Sequence, residues 1–177
     1  DTLTALGCPT TFTLAQTPAA PEAFRAVLDG ALANTEAGSP MTPQVAVRPT
    51  GMLYGLQSSY HPFIAHPSYR EIRDLPLAER AALLRKPALR ERLLSEDPFT
   101  ENRFAHYMAT NWSQIYRLGN PPDYEPPLEA SAAAIGEREG RHPGEVVLDW
   151  LVEADGEAFM FSPLGNYHEH NHDVIRE

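Results

Sequence analysis

The chain has 177 residues, of which 42% are hydrophobic, and its formal net charge is −10. Such a composition is that of a globular protein with an ordinary core, and it excludes wholesale disorder. The negative charge argues against nucleic acid and against an anionic membrane as partners, because both need a cationic surface. No apolar run approaches the roughly 18 residues of a membrane-spanning helix.

Cysteine and proline are the unusual residue types. The single cysteine, Cys8, excludes an internal disulfide framework, and we expect it to be a small buried residue. A chain of this kind fits a reducing compartment, so the predicted location is the cytoplasm. The 17 prolines cluster at residues 40–67 and 121–127, where they predict long loops with little regular structure.

The first fifty residues predict a β-α-β unit. Residues 10–15 are β-rich and form the first predicted strand. Apolar residues recur at helical spacing over 21–34, which indicates an amphipathic helix, and residues 44–48 form a second short strand. A unit of this kind requires a parallel sheet and a right-handed crossover. Residues 50–68 then show no periodicity, which predicts an ordered loop at the carboxyl end of the second strand.

The rest of the chain alternates predicted helices and strands. Residues 112–118 alternate large and polar side chains, which predicts a half-exposed strand. The continuous apolar run at 158–161 predicts a buried parallel strand. Prolines at helix starts and glycines at helix ends indicate helices at residues 77–84, 87–95, 128–139 and 143–153, and a last helix begins near residue 171.

This order of elements predicts an α/β fold, either an open sheet or part of a (β/α)₈ barrel. We expect three parts: a βαβ barrel unit with an active-site loop at 1–68, a helical and Pro-rich insertion at 69–127, and a return to the barrel at 128–177. The chain begins without a methionine and ends after barely one helical turn. We therefore expect a segment of a larger protein.

Three residues are candidates for substrate binding on their positions alone. Arg48 ends a predicted parallel strand, where a guanidinium can clamp a carboxylate, or else pair with a neighbouring loop. His61, in the following loop, is a candidate acid, base or hydrogen-bond donor, or a structural histidine bonded to a carbonyl. Asn166 follows the predicted buried strand at 158–161. Its side-chain amide can point into the same pocket at the ends of the strands, or it can serve only in a turn.

A run of three alternate histidines suggests a different chemistry. In an extended chain His168, His170 and His172 share one face, and three imidazoles can bind zinc. The alternative is a polar loop before a helix, with the imidazoles in solvent. No glycine-rich phosphate loop, nucleophile elbow or Cys-x-x-Cys motif occurs in the sequence.

Five collinear stretches resemble the N-acyl-D-amino-acid deacylases, or D-aminoacylases, of the metal-dependent amidohydrolase superfamily. They are PQVAVRPTG at 43–51, GLQSSYHPF at 55–63, LPLAER at 75–80, PDYEP at 122–126 and FSPLGNY at 161–167. The resemblance covers nearly the whole chain. It implies a (β/α)₈ barrel that holds zinc, whose hydroxide attacks an amide carbonyl while an aspartate carries the proton to the leaving amine.

The resemblance also implies what this chain contributes to such an enzyme. The zinc ligands and the catalytic aspartate fall outside these residues, so no catalytic or metal-binding residue is expected here. The expected role is a substrate pocket with a helical lid, using Arg48, Ser58, His61 and Asn166. The substrate would be an N-acyl-D-amino acid or a related linear amide, and the rest of the parent chain would be the protein partner.

Two other functions stay open at this point. One is a non-catalytic α/β binding module that uses its Pro-rich loops as an interaction surface. The other is a metal-binding protein built on the histidine run at 168–172.

Overall fold

The structure is a computed structural model that describes residues 7–98 and 101–177. The fold is α/β, with one parallel two-stranded sheet and one small three-stranded sheet among those residues. Its contacts group the chain into a first unit, Asp1–Gly51 with Pro163–Glu177, and a second unit, Met52–Ser162. The predicted parts 1–68, 69–127 and 128–177 do not coincide with these units.

The first unit contains the predicted β-α-β arrangement. Strand β1 (Thr10–Thr13) is followed by helix α1 (Ala23–Glu36) and strand β2 (Met41–Gln44). The strands pair in parallel, in a register that sets Thr10 opposite Met41. The structure thus confirms the parallel pairing that the sequence predicts.

The predicted position of the second strand is wrong. The prediction was 44–48, whereas β2 ends at Gln44 and the next strand, β3 (Thr50–Tyr54), begins inside the stretch predicted as a loop. Backbone hydrogen bonds from Thr10 to the carbonyl of Pro40 (2.9 Å) and from Leu14 to that of Gln44 (2.9 Å) set the register. These long-range bonds outweigh the local β propensity of 44–48, which single-sequence reasoning follows.

Two expected burials in the first unit also fail. Cys8 is exposed rather than buried. On α1 only Ala31 is buried, whereas Val27 and Leu32 of the predicted apolar face are 48% and 55% exposed. The described residues therefore leave much of that face uncovered.

Short helices make up most of the second unit. The predictions at 77–84 and 87–95 are confirmed at both bounds, whereas two further helices were not predicted. One of these begins after Asn102, whose side chain accepts hydrogen bonds from the amides of Phe104 (2.9 Å) and Ala105 (3.2 Å). The helices are α2 (Pro67–Arg70), α3 (Leu77–Leu84), α4 (Pro87–Ser95), α5 (Arg103–Thr110), α6 (Ala132–Glu139) and α7 (Pro143–Leu151).

The helix predicted at 128–139 is interrupted at Ser131. A 3₁₀ turn, Leu128–Ala130, precedes it, and the Ser131 hydroxyl then caps α6 by accepting a hydrogen bond from the amide of Ala134 (3.2 Å). Gly140, with φ of 66°, ends α6 in the left-handed conformation that its sequence position predicts.

The last two strands differ from the prediction in length and direction. Only β4 (Tyr116–Arg117) forms within the strand predicted at 112–118, after a 3₁₀ turn at Trp112–Gln114. Of the strand predicted at 158–161, only Met160 and Phe161 are buried and begin strand β5 (Met160–Gly165), which pairs with β4 in antiparallel rather than parallel fashion. Burial does not encode direction, and two helices, rather than the one of a βαβ crossover, connect these strands.

Strand β5 lies between β3 and β4 in the three-stranded sheet. A short helix, α8 (Asp173–Arg176), follows β5 in the first unit. The core of the second unit is built from side chains that are less than 2% exposed: Tyr54, Leu56, Phe63, Leu84, Leu93 and Leu148. Among the described helices, none is long and apolar enough to cross a membrane.

Candidate functional site

A cavity of about 290 Å³ lies in the first unit where both parallel strands end. Gln16 comes shortly after β1, and Val45 directly follows β2. The remaining walls are largely apolar: Leu14 after β1, Phe24 and Leu28 from α1, and Val174 and Ile175 from α8. Ligand sites of α/β proteins concentrate at the carboxyl ends of parallel strands, because the loops there converge. We therefore take this cavity as the candidate functional site.

Asn166 is the buried amide of this cavity and is only 2% exposed. Its Oδ1 accepts a hydrogen bond from the backbone amide of Gln16 (2.8 Å), and its backbone amide donates to the backbone carbonyl of Gln16 (3.0 Å). Its φ of 60° lies in the left-handed region, which asparagine adopts more readily than most residues. The Nδ2 group has no partner among the described residues. Asn166 therefore lines a cavity, and its predicted role in substrate binding stays a prediction.

Gln16 fixes the orientation of Asn166. Its side-chain Oε1 accepts a hydrogen bond from the backbone amide of His168 (3.1 Å), and the residue is only 6% exposed. A Cβ atom at Gly165 would lie 3.2 Å from the Gln16 carbonyl oxygen, so glycine allows this close approach. Sequence reasoning missed Gln16, although it follows a parallel strand as Asn166 follows β5.

An ion pair lines the same cavity. The guanidinium of Arg25 binds both oxygens of the Glu177 carboxylate, at 2.6 and 3.0 Å, and also contacts Glu22 at 2.8 Å. The hydrogen bonds that Arg25 donates to Glu177 and then to Glu22 raise the pKa of Arg25, and the bond from Arg25 lowers the pKa of Glu177. The wall of this largely apolar cavity therefore includes a guanidinium that is already paired with two carboxylates.

Arg48 does not line this cavity. It is exposed and lies in a bend after β2, rather than at the end of a strand as the sequence predicts. The strand that was expected to carry it ends at Gln44. Its role as a carboxylate clamp stays a prediction.

Ser58 and His61 belong to the second unit, in the loop after β3. The Ser58 hydroxyl lies 2.6 Å from the carbonyl oxygen of Tyr60 and 2.9 Å from that of Gly55. Within the described residues it therefore closes a turn.

His61 is almost fully buried, at 1% exposure, and neither ring nitrogen has a partner among the described residues. Its ring meets that of Tyr69 edge-on, with 4.3 Å between centroids. Burial, with smaller contributions from the charges of Arg80 and His66, lowers the pKa of His61 to about 3. The imidazole is neutral at pH 7, so it can donate or accept a hydrogen bond but it does not carry charge there.

The histidine run does not form a metal site in the described part of the chain. Within residues 7–98 and 101–177, no three His, Cys, Asp or Glu side chains are placed to hold a metal ion. The rings of His170 and His172 instead lie edge-on to Tyr167, with centroids 6.2 and 5.6 Å away.

Comparison with known proteins gives no further guide. No protein-family model, no curated protein and no solved structure matches the chain.

Proposed function

We propose that the chain forms the substrate-pocket part of a zinc-dependent amidohydrolase that cleaves N-acyl-D-amino acids or a related linear amide. In this proposal the parallel β1-α1-β2 unit is a portion of a (β/α)₈ barrel, and the zinc ligands lie outside these residues. The observation that carries the proposal is the buried Nδ2 of Asn166, which has no partner among the described residues and lies in an apolar cavity at the ends of parallel strands.

The chemistry of the cavity suits an N-acyl amino acid. Such a molecule has carbonyl and carboxylate oxygens that accept hydrogen bonds, and apolar groups that need walls. An unpaired buried N–H group costs about 1–3 kcal/mol, and an acceptor on a ligand removes that cost. The described residues do not fit a zinc ion, so the role that we assign to this chain is binding and orientation.

The contacts between resembling stretches support the same proposal. Arg80 ends the 75–80 stretch, and its guanidinium donates a hydrogen bond to the carbonyl of Leu56 (2.8 Å), within the 55–63 stretch. It also donates to the hydroxyl of Tyr69 (3.0 Å). A side chain from one stretch that resembles the deacylases therefore hydrogen-bonds to the backbone of another such stretch.

The test is hydrolysis by the natural polypeptide that carries these residues, supplied with zinc. N-acetyl-D-methionine and its L enantiomer are offered in parallel, and released amino acid is quantified by chromatography. We expect release from the D enantiomer. We also expect Asn166→Asp to lower kcat/KM about 10- to 100-fold, because it replaces the donor by a charge that repels a carboxylate.

A matched variant separates the cavity from a general effect of added charge. Asn34→Asp makes the same change on α1, where the side chain donates to the carbonyl of Gly30 (2.8 Å) and does not line the cavity. It should retain the natural rate. Failure to hydrolyse either enantiomer or any other linear amide would overturn the proposed function. Turnover by the 177-residue chain alone with zinc would show that the metal ligands are misplaced in our proposal.

A further inference from the structure

A second, smaller cavity lies within the second unit and has a different character. Its volume is about 160 Å³, and it lies between the C-terminal part of α4 and the end of α5. If each water-sized group occupies about 30 Å³, the cavity has room for roughly five non-hydrogen atoms. The candidate site in the first unit shares no residue with it.

Aromatic rings form a chain along the wall of this second cavity. The ring of Phe63 lies 5.1 Å from that of His66 and 6.0 Å from that of Trp112. The ring of His142 meets Trp112 edge-on at 6.0 Å. Aromatic faces attract cations because their π-electrons carry partial negative charge.

Carboxylates complete the wall on the side of α4. Both Glu96 and Asp97 line the cavity. The Glu96 carboxylate is held in place by Ser68, whose amide donates to Oε2 (2.9 Å) and whose hydroxyl donates to Oε1. The wall thus carries fixed negative charge beside aromatic faces, and the cavity-lining residues include no Lys or Arg.

His66 supplies the polar group that points to a ligand. The residue lines the cavity, is only 5% exposed, and its Nδ1 has no partner among the described residues. Burial lowers the pKa of His66, although the charges of Glu96 and Asp97 oppose this effect. A neutral imidazole has one nitrogen that can accept a hydrogen bond.

We infer that this cavity binds a small primary ammonium group, with the aromatic rings and the two carboxylates around the cation and His66 accepting an N–H. The leucines at 93 and 94 and Ala109 provide apolar contact for a short alkyl stem. A primary ammonium satisfies every feature of the wall, whereas a neutral alcohol lacks the charge and a quaternary ammonium lacks the N–H donor.

Three probes with five non-hydrogen atoms each test the inference on the 177-residue chain. They are n-butylammonium, 1-butanol and tetramethylammonium, titrated by calorimetry and by tryptophan fluorescence, to which Trp112 in the cavity wall contributes. We expect n-butylammonium to bind about tenfold more tightly than 1-butanol and more tightly than tetramethylammonium. Equal affinity for the butanol, or no saturable binding of n-butylammonium, would overturn the inference.

Variants assign the parts of the site. Asp97→Asn and Glu96→Gln should each weaken n-butylammonium about three- to tenfold, and Asp29→Asn, on the exposed surface of α1, should not. His66→Phe keeps a ring but removes the acceptor, so it should weaken n-butylammonium and leave tetramethylammonium unchanged. Unchanged n-butylammonium affinity in Asp97→Asn and His66→Phe, with folding verified by circular dichroism, would contradict the site.

Discussion

Among the described residues, several buried polar groups have no hydrogen-bond partner, and Asn166 and His61 illustrate two different consequences. The side-chain oxygen of Asn166 accepts a hydrogen bond from the backbone amide of Gln16, whereas Nδ2 beside the cavity has no partner among the described residues. Both ring nitrogens of His61 lie in a core and have no partner among the described residues. Most buried polar groups in folded proteins are hydrogen-bonded, so an unpaired group indicates either a binding role or a cost in stability.

The burial of a neutral His61 predicts that the free energy of unfolding depends on pH. Its pKa is about 3 in the folded chain, against an ordinary value of 6.5, so the unfolded chain binds the proton more strongly. Above pH 6.5 His61 is neutral in both states, and the free energy of unfolding has its full value. The free energy of unfolding then decreases as the pH falls from 6.5 toward 3. Each pKa unit corresponds to about 1.4 kcal/mol, which makes the loss on the order of a few kcal/mol.

His61→Leu tests this, because leucine has a similar size and does not titrate. We expect the free energy of unfolding of the natural chain to fall more steeply between pH 7 and pH 4 than that of the variant. The measurement is urea denaturation at several pH values, followed by circular dichroism. Parallel curves for the two proteins would show that His61 does not contribute.

At the scale of the helices and strands, local signals predicted more than long-range ones. Helices α3 and α4 were placed correctly because the prolines that mark their starts lie at or next to the first residue of each helix. Strand β2 was misplaced because its position depends on hydrogen bonds from β1, some thirty residues away. The same limit applies to the candidate site: Asn166 was predicted from its place after a strand, whereas its partner Gln16 lies 150 residues earlier.

Two helical glycines illustrate how surroundings reverse a local preference. A Cβ atom on Gly30 of α1 would meet nothing within 4 Å, whereas one on Gly136 of α6 would lie 2.8 Å from the carbonyl oxygen of Arg141. Alanine is favoured over glycine in a helix by about 1 kcal/mol. Overpacking against fixed backbone costs about 1–3 kcal/mol.

We therefore expect Gly30→Ala to stabilise the first unit by up to about 1 kcal/mol and Gly136→Ala to destabilise the second by about 1–2 kcal/mol. Chemical denaturation of each variant beside the natural chain measures both values. Stabilisation by Gly136→Ala would mean that the connection between α6 and α7 adjusts without strain.

For the whole molecule, the uncovered face of α1 is the feature that bears most on the proposed barrel. In a barrel the helices cover the strands and contact neighbouring helices. On α1, Val27 and Leu32 are about half exposed on either side of buried Ala31, and Val47 beyond β2 is 89% exposed. If the first unit is part of a barrel, neighbouring elements would cover these side chains in the natural polypeptide.

Substituting that face distinguishes a barrel portion from a small independent module. In the 177-residue chain, Val27→Lys and Leu32→Lys place charges on exposed positions, so each should change the free energy of unfolding by less than about 0.5 kcal/mol. In the natural polypeptide that carries these residues, the same substitution at a covered position would lower the free energy of unfolding by about 2 kcal/mol or more, because burying an unpaired charge is costly.

The test uses Val27 and Leu32, because Val45→Lys would be less informative: it alters the candidate cavity itself. The measurement is the free energy of unfolding of each variant in both proteins by chemical denaturation, with Ala33→Lys, at an exposed α1 position outside the apolar face, as the control. A small effect of both substitutions in the natural polypeptide would show that α1 stays uncovered there, which would favour the independent binding module over the barrel.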